Sequence, residues 1–573
     1  MRERNINVVI YAFFVILAVC LFYTQVLRYP YYYKLARNNA IRIITISGPR
    51  GNIYDRNNIP AVTNRLSFDV AVVYQELRNR QKLIDLLMTS IGVTAKDAAA
   101  ALDKAERKPY APVTIAEDID KEKALMLEEA SVDMPGLVIE TKAKRYYAYG
   151  NAGCHIFGYL SEISESELDR LRDYGYRIKD LLGRDGLEKY YNDDLTGLDG
   201  GLQIEVDNKG RQVRTLGIKE PSNGKDLYLT VDMSMQVLSD KLLGERKGVV
   251  VVMDPRNGEI IALASHPSFD PNIFVKPDTS KQRTKLMRDR VGRPLLNRAI
   301  SCVYPPGSVF KMVVAAAALE TGRIKASTRF FCGGSFLLGK ARFKCWRESG
   351  HDMQDVVSGL MNSCNVFFYN TGRATGADNI EAYAKLFGFG RPAGIDLPDE
   401  AKGIVPGRLW KKQHRKDNWY EGDTINFSIG QGYLLVTPLQ VVDMTAAIAN
   451  GGNSVRPHIV KRIDAEEVNP PVRKNLGLRN DTLQKIREGL YKVVNDESGT
   501  AKHARVEGVT IAGKTGTAQN PQGKTHAWFT GFAPYNAPKI CVVVFLEHGG
   551  HGGLVPADIA RGIFEEAKNK GYL

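Results

Sequence analysis

Pro305-Pro-Gly-Ser-Val-Phe-Lys-Met-Val-Val-Ala-Ala-Ala-Ala-Leu319 is the stretch on which the fold of this chain turns. Two prolines and a glycine make a turn, and the alanine-rich run behind them has strong helix propensity. The segment therefore reads as a turn feeding a helix, with Ser308 at or near the first turn and Lys311 one turn later on the same face. The positive end of the helix then sits at the serine, and a lysine held in a partly dry pocket sheds its proton and serves as the local base. Ser-x-x-Lys is weak alone: Ser222-Asn-Gly-Lys225 has the same spacing in a turn that cannot hold both residues on one helical face.

Working outward, Lys247-Gly-Val-Val-Val-Val-Met-Asp-Pro255 has a buried-strand pattern ending in a turn, and Glu259-Ile-Ile-Ala-Leu-Ala264 reads as its hairpin partner. Val509-Thr-Ile-Ala-Gly-Lys-Thr-Gly-Thr517 and Lys539-Ile-Cys-Val-Val-Val-Phe-Leu546 read as later strands, with a terminal helix over about 556–570. Strand pairs at both ends with helical stretches between them predict an α+β body, an antiparallel sheet with helices packed on it.

Two further elements bear on chemistry. Within Gly359-Leu-Met-Asn-Ser-Cys-Asn-Val-Phe-Phe-Tyr369, the hydroxyl of Ser363 and the amide of Asn365 point the same way on an extended or turn-like backbone, fit to relay a proton and hold a substrate amide. The plain alternative is a Ser/Asn helix start. In the third element Lys514 and Thr515 offer charge and a hydroxyl to a substrate carboxylate, and Gly516 lets another chain approach. The Thr517 N–H, with that of Ser308, makes an oxyanion hole. Its plain alternative is a β-hairpin turn.

The chain has 573 residues, 44% hydrophobic and 25% charged, which are ordinary globular values that exclude a disordered chain and a multi-span membrane protein. A net charge of +14 suits polyanions in general, but no interleaved basic and aromatic stretch marks a nucleic-acid surface, so no nucleic-acid partner is expected. Residues 7–27 run without a charge for about the 20 residues a bilayer crossing needs, and no small-x-small cleavage site follows, so an uncleaved signal-anchor is expected. A lipoprotein reading of Leu17-Ala-Val-Cys20 stands as the alternative. Between the anchor and residue 235 lie short β-like runs (Ile41-Arg-Ile-Ile-Thr-Ile46, Phe68-Asp-Val-Ala-Val-Val73) and charged helical runs over 116–127 and 165–172, with no catalytic constellation.

Ser-x-x-Lys, Ser-x-Asn and Lys-Thr-Gly in this order resemble the signature of penicillin-recognising acyl-serine enzymes. The likeness extends over nearly the whole chain to the class B penicillin-binding proteins. It includes Gly48-Pro-Arg-Gly-Asn-Ile-Tyr-Asp-Arg56, Arg145-Tyr-Tyr147, Gly158-Tyr159, Gly183-Arg-Asp-Gly-Leu-Glu188, Met253-Asp-Pro255, Asn297-Arg-Ala299 and Gly430-Gln-Gly432. His526-Ala-Trp-Phe529 and Gly531-Phe-Ala-Pro534 are similar to the elongation-type branch. The resemblance implies a cytoplasmic tail at 1–6, a transmembrane helix at 7–27, an elongated mixed α/β pedestal over 28–235 and a serine β-lactamase-like transpeptidase domain over 236–573, outside the cytoplasmic membrane. It implies a D,D-transpeptidase that cross-links peptidoglycan stem peptides through an acyl-enzyme on Ser308 and is blocked by β-lactams. Its implied partners are a SEDS-family, RodA-type glycosyltransferase and an MreC-type scaffold. A division- or sporulation-type transpeptidase, a D,D-carboxypeptidase or β-lactamase, and a non-catalytic β-lactam-binding module are the competing functions.

Cys332, Cys345, His351 and Cys364, spaced C-x12-C-x5-H-x12-C, offer three thiolates and an imidazole for a tetrahedral structural Zn2+. With Ser363 and Asn365 facing the cleft, Cys364 would point into the body and the metal would brace the motif from behind. By resemblance, some elongation-type relatives hold zinc at corresponding positions with aspartates for the first two cysteines. A Cys332–Cys345 disulfide and free core cysteines are the other readings. The acyl-transfer chemistry requires no cofactor.

Overall fold

Gly248–Met253 and Ile260–His266 form the expected antiparallel hairpin, with Val250 opposite Ala264. Both strands are apolar at nearly every position because both faces of the sheet are covered. Ile540–Leu546 pairs with the first of them, His526–Ala533 follows, and Ala512–Ala518 closes the order at the edge; every pairing is antiparallel. One face packs on a large core built around the helices Lys311–Glu320, Asn365–Thr375 and Pro438–Ala449. The other face packs on Val493, Val494 and the terminal helix Val555–Asn569. Thr437 caps the Pro438–Ala449 helix with a reciprocal Thr437–Gln440 box and proline in its first turn.

The computed structural model describes residues 2–573 except 111, 172–179, 208–211, 278, 469–473 and 521–522. Compact packing divides the chain into Met1–Gly51, Asn64–Lys144 and Thr196–Gly224 on one hand, and Asn52–Thr63, Arg145–Leu195 and Lys225–Leu573 on the other. Residues 145–195 thus belong to the same unit as the five-stranded sheet. There the Arg145 guanidinium donates to the Glu188 carboxylate at 2.7 Å, both fully buried.

In the first unit, Ile41–Ile46 pairs with Gly200–Val206, and that strand with Gln212–Lys219. A separate small core gathers Val70, Val72, Leu83, Leu87, Leu102 and Leu127. The helix expected over 116–127 is split: Val113–Ile119 is a strand paired with Phe68–Val72, and helix Lys121–Ser131 follows. β-Branched residues at Val113, Thr114, Ile115 and Ile119 favour the ladder, and pairing with a neighbouring strand overrides the charged, helix-like composition. Part of the expected 165–172 helix is present as Glu165–Leu171, and residue 172 lies outside the described residues. Arg4–Leu27 is one helical run long and apolar enough to cross a membrane, and it fits a single-pass anchor.

Candidate active site

Ser308 sits in a 3-10 turn, Gly307–Phe310, that runs into the helix Lys311–Glu320. In a first turn the backbone N–H groups lack intrahelical partners, so the Ser308 N–H is free for an oxyanion. Two glycines set the position of that turn. Gly307 has φ 56°, and a Cβ on it would lie 2.8 Å from the Thr517 carbonyl oxygen; a Cβ on Gly430 would lie 2.1 Å from the Gly307 oxygen. The Ser308 turn is therefore wedged between the end of the Lys-Thr-Gly strand and the Gly430 loop, whose carbonyl accepts the Gly307 N–H at 3.0 Å. The Trp528 indole N–H donates to the Pro305 oxygen at 3.0 Å and ties the same turn to the sheet.

Lys311 is fully buried, and that burial pushes its ammonium down to about 8, with nearby Cys364 and Cys345 pulling the other way. Its Nζ donates to the Ser363 carbonyl and the Asn365 Oδ1, each at 2.7 Å, and lies 3.4 Å from the Ser363 Oγ. Ser363 has φ 49°, a left-handed conformation that a serine holds only where its surroundings demand it. Cys364 follows as the N-cap of helix Asn365–Thr375, its sulfur accepting the Phe367 N–H at 3.4 Å. This sharp bend sends Ser363 and Asn365 to the lysine side and Cys364 to the other.

Lys514 approaches Ser363 from the opposite wall. Its Nζ donates to the Ser363 Oγ at 2.9 Å and to the Thr515 carbonyl at 3.0 Å, and the side chain is fully buried. Burial, and after it the Lys311 charge, hold Lys514 well below its ordinary value. The ammonium is thus turned into the floor of the site. Gly516 has no side chain to hold the strand off the Ser308 turn: a Cβ there would meet Pro306, Trp528 and Val309 at 3.0–3.1 Å. Thr517 stands half-buried at the strand end, and beyond it a cavity of ≈ 510 Å³ is lined by Pro305, Gln431, Gly432, Gln519, Asn520, Gly523 and Thr525.

Behind the tripeptide, Cys332, Cys345, His351 and Cys364 are all buried, and their ligand atoms lie within 4.8 Å of one another. His351 Nδ1 is 3.6 Å from the Cys332 sulfur and 3.5 Å from that of Cys345. Zinc–sulfur bonds near 2.3 Å in a tetrahedron imply donor separations of about 3.8 Å, so this donor set fits a zinc ion in number, type and spacing. The Trp346 indole N–H, beside Cys345, donates to the Asn362 carbonyl at 2.9 Å and fastens the loop to the helix turn before Ser363.

All twelve residues singled out in the sequence fall in these two adjoining clusters. Thr500 was not singled out, yet its hydroxyl lies 2.9 Å from that of Thr515. The only trace of it in the sequence is a Gly-Thr pair after a helix.

Residues 248–565 match the family described as penicillin binding protein transpeptidase domain, and residues 45–229 the penicillin-binding protein dimerisation domain. The chain is 35% identical over 567 residues to the peptidoglycan D,D-transpeptidase MrdA of Acinetobacter baumannii, which spans 95% of this chain and 84% of that protein. Its structure is similar to that of the penicillin-binding protein PBP2 solved with MreC from Helicobacter pylori, with a TM-score of 0.82 and 31% identity over 93% of this chain and 99% of the other. It is also similar to a chain from a peptidoglycan synthase complex that coordinates polymerization and crosslinking, with a TM-score of 0.77 and 29% identity over 98% and 97% of the two chains.

Proposed function

Because this chain belongs to the penicillin-binding proteins that join a dimerisation domain to a transpeptidase domain, we propose that Ser308 carries the acyl-enzyme of an elongation-type peptidoglycan D,D-transpeptidase. The observation that carries the assignment of residues is the meeting of Lys311, Ser363 and Lys514, drawn from three distant segments, one turn of helix from Ser308.

The chemistry follows from that arrangement. The neutral fraction of Lys311, roughly a tenth at pH 7 for a value near 8, takes the Ser308 proton as the oxygen attacks the D-Ala–D-Ala carbonyl of a donor stem peptide. The N–H groups of Ser308 and Thr517 receive the developing oxyanion. Lys311 returns the proton through Ser363 to the leaving D-Ala amine, which departs. An amine of a neighbouring stem peptide then attacks the ester, its proton passing back by the same route, and the cross-link forms with Ser308 restored. β-Lactams acylate the same oxygen and stall there. Asn365 orients the Lys311 ammonium and the substrate amide.

Cys332, Cys345, His351 and Cys364 would hold a structural Zn2+. When bound, that ion would supply no acyl-transfer chemistry, only a fixed corner behind Ser363 and Asn365. A RodA-type polymerase and an MreC-type scaffold are proposed as partners, in keeping with the MreC-bound relative and the synthase complex, with the catalytic unit on the extracytoplasmic side of a single-pass anchor. The test is labelling of the full-length protein in detergent with a fluorescent penicillin, followed by peptide mapping. A stable adduct on Ser308, absent from Ser308→Ala, is expected; no adduct on folded wild-type protein would overturn the assignment.

A further inference from the structure

With the Lys514 ammonium directed at Ser363 and Thr515 O, recognition of a substrate carboxylate falls to hydroxyls on the strand, and here the structure adds one from another element. Strand alternation turns Lys514 and Gly516 toward Ser363, Pro306 and Val309 and puts Thr515 on the face it shares with half-buried Thr517, where its Oγ1 lies 2.9 Å from Thr500 Oγ1. Thr500 is itself held in place. A Cβ on Gly553 would lie 2.2 Å from the Thr500 carbonyl and 3.7 Å from Thr515 Cγ2, so only glycine lets the 549–553 loop close over this pair. On its other side Gly499 packs against the Val493 and Lys492 carbonyls at the end of helix Asn480–Asn495. Thr515 is nearly buried and Thr500 partly open.

We propose that Thr500 is a positioning residue of the carboxylate subsite: it fixes the Thr515 hydroxyl so that the pair presents one free O–H to the terminal carboxylate of the stem peptide or β-lactam. A hydroxyl is one donor and two acceptors, so whichever of the two donates to the other, one proton remains free. Without Thr500 the Thr515 rotor is unrestrained, and a neutral donor must be ordered at the moment of binding. A hydroxyl donating to an anion forms a short, charge-assisted bond, so loss of this order is felt by anionic ligands and not by neutral ones.

The inference rests on the acyl-serine function proposed above. Full-length wild type, T500V and T500S in detergent are compared for acylation by benzylpenicillin and by its neutral methyl ester, alongside thermal unfolding. T500V, which keeps the shape and removes the hydroxyl, is expected to acylate roughly tenfold more slowly with the acid through weaker pre-covalent binding, with an unchanged limiting rate. It is expected to match wild type with the ester and in melting temperature, and T500S to restore the acid rate. Equal rates for T500V and wild type with the acid, or a parallel loss with acid and ester, would overturn the proposal while leaving the Ser308 assignment intact. Wild type that takes no label at Ser308 would instead overturn that assignment and this inference with it.

Discussion

On one side of Ser363-Cys364-Asn365 two buried lysines converge; on the other, three thiols and an imidazole do. The lysine side is assembled from hydrogen bonds to a single bend in the chain, with positive groups that burial has pushed toward neutrality. The cysteine side gathers soft donors at metal spacing from the end of strand Phe330–Cys332, from Cys345 and His351 beside two further short strands, and from the N-cap of helix Asn365–Thr375. The first is arranged to move a proton, since burial pushes Lys311 down to about 8; the second offers only donors for an ion.

This division can be broken by experiment. Lys311→Met is expected to slow Ser308 acylation about a thousandfold, measured with a fluorescent penicillin, since the general base is lost. Lys514→Met should cost roughly a hundredfold by the same assay, because an electrostatic and positioning group goes while the base remains. Equal losses would mean that the two lysines act as one unit. On the other side, Cys345→Ser, or stripping metal with a strong chelator, should lower acylation only about tenfold while lowering the melting temperature. Metal analysis should find one zinc per wild-type chain and none in the variant. A thousandfold loss on metal removal would erase the distinction between the two sides.

The smallest effect sharpens the comparison. Lys311 must be neutral to accept a proton, and its value near 8 lies below the ordinary lysine range, so acylation should rise roughly fivefold from pH 7 to pH 8 and level off above. The pH–rate profile of wild type checks this, and a flat profile over that interval would remove Lys311 as the base. Gly307→Ala tests the frame that both sides serve. A methyl group at φ 56°, 2.8 Å from the Thr517 oxygen, is expected to cost about 1–3 kcal/mol of stability, seen as a lower melting temperature.

Much of the site was legible before folding was considered. Ser308 and Lys311 lie within one turn of an alanine-rich helix, and local spacing fixes their proximity. The five strands were legible in part, since apolar runs bounded by turns announce themselves. The split of 116–127 was not, because charged residues there look helical until the Phe68–Val72 strand is available to pair with. Nor was the placing of 145–195 with the catalytic sheet: a buried pair such as Arg145–Glu188 leaves no periodic mark in the sequence. Thr500 stayed hidden for the same reason, as its contact with Thr515 is made across two elements.

The amino-acid sequence by itself determined the Ser308–Lys311 pair, the Ser-x-Asn and Lys-Thr-Gly elements, the membrane-length helix and the four metal-type ligands, because each is a matter of residue type and short spacing. Only the tertiary structure decided that Lys514 turns inward to Ser363, that Cys364 parts from its neighbours at a left-handed bend, and that Thr500 joins Thr515. Those are choices of direction between segments far apart in the chain, and they are settled by which groups must share a dry interior, where every polar atom needs a partner.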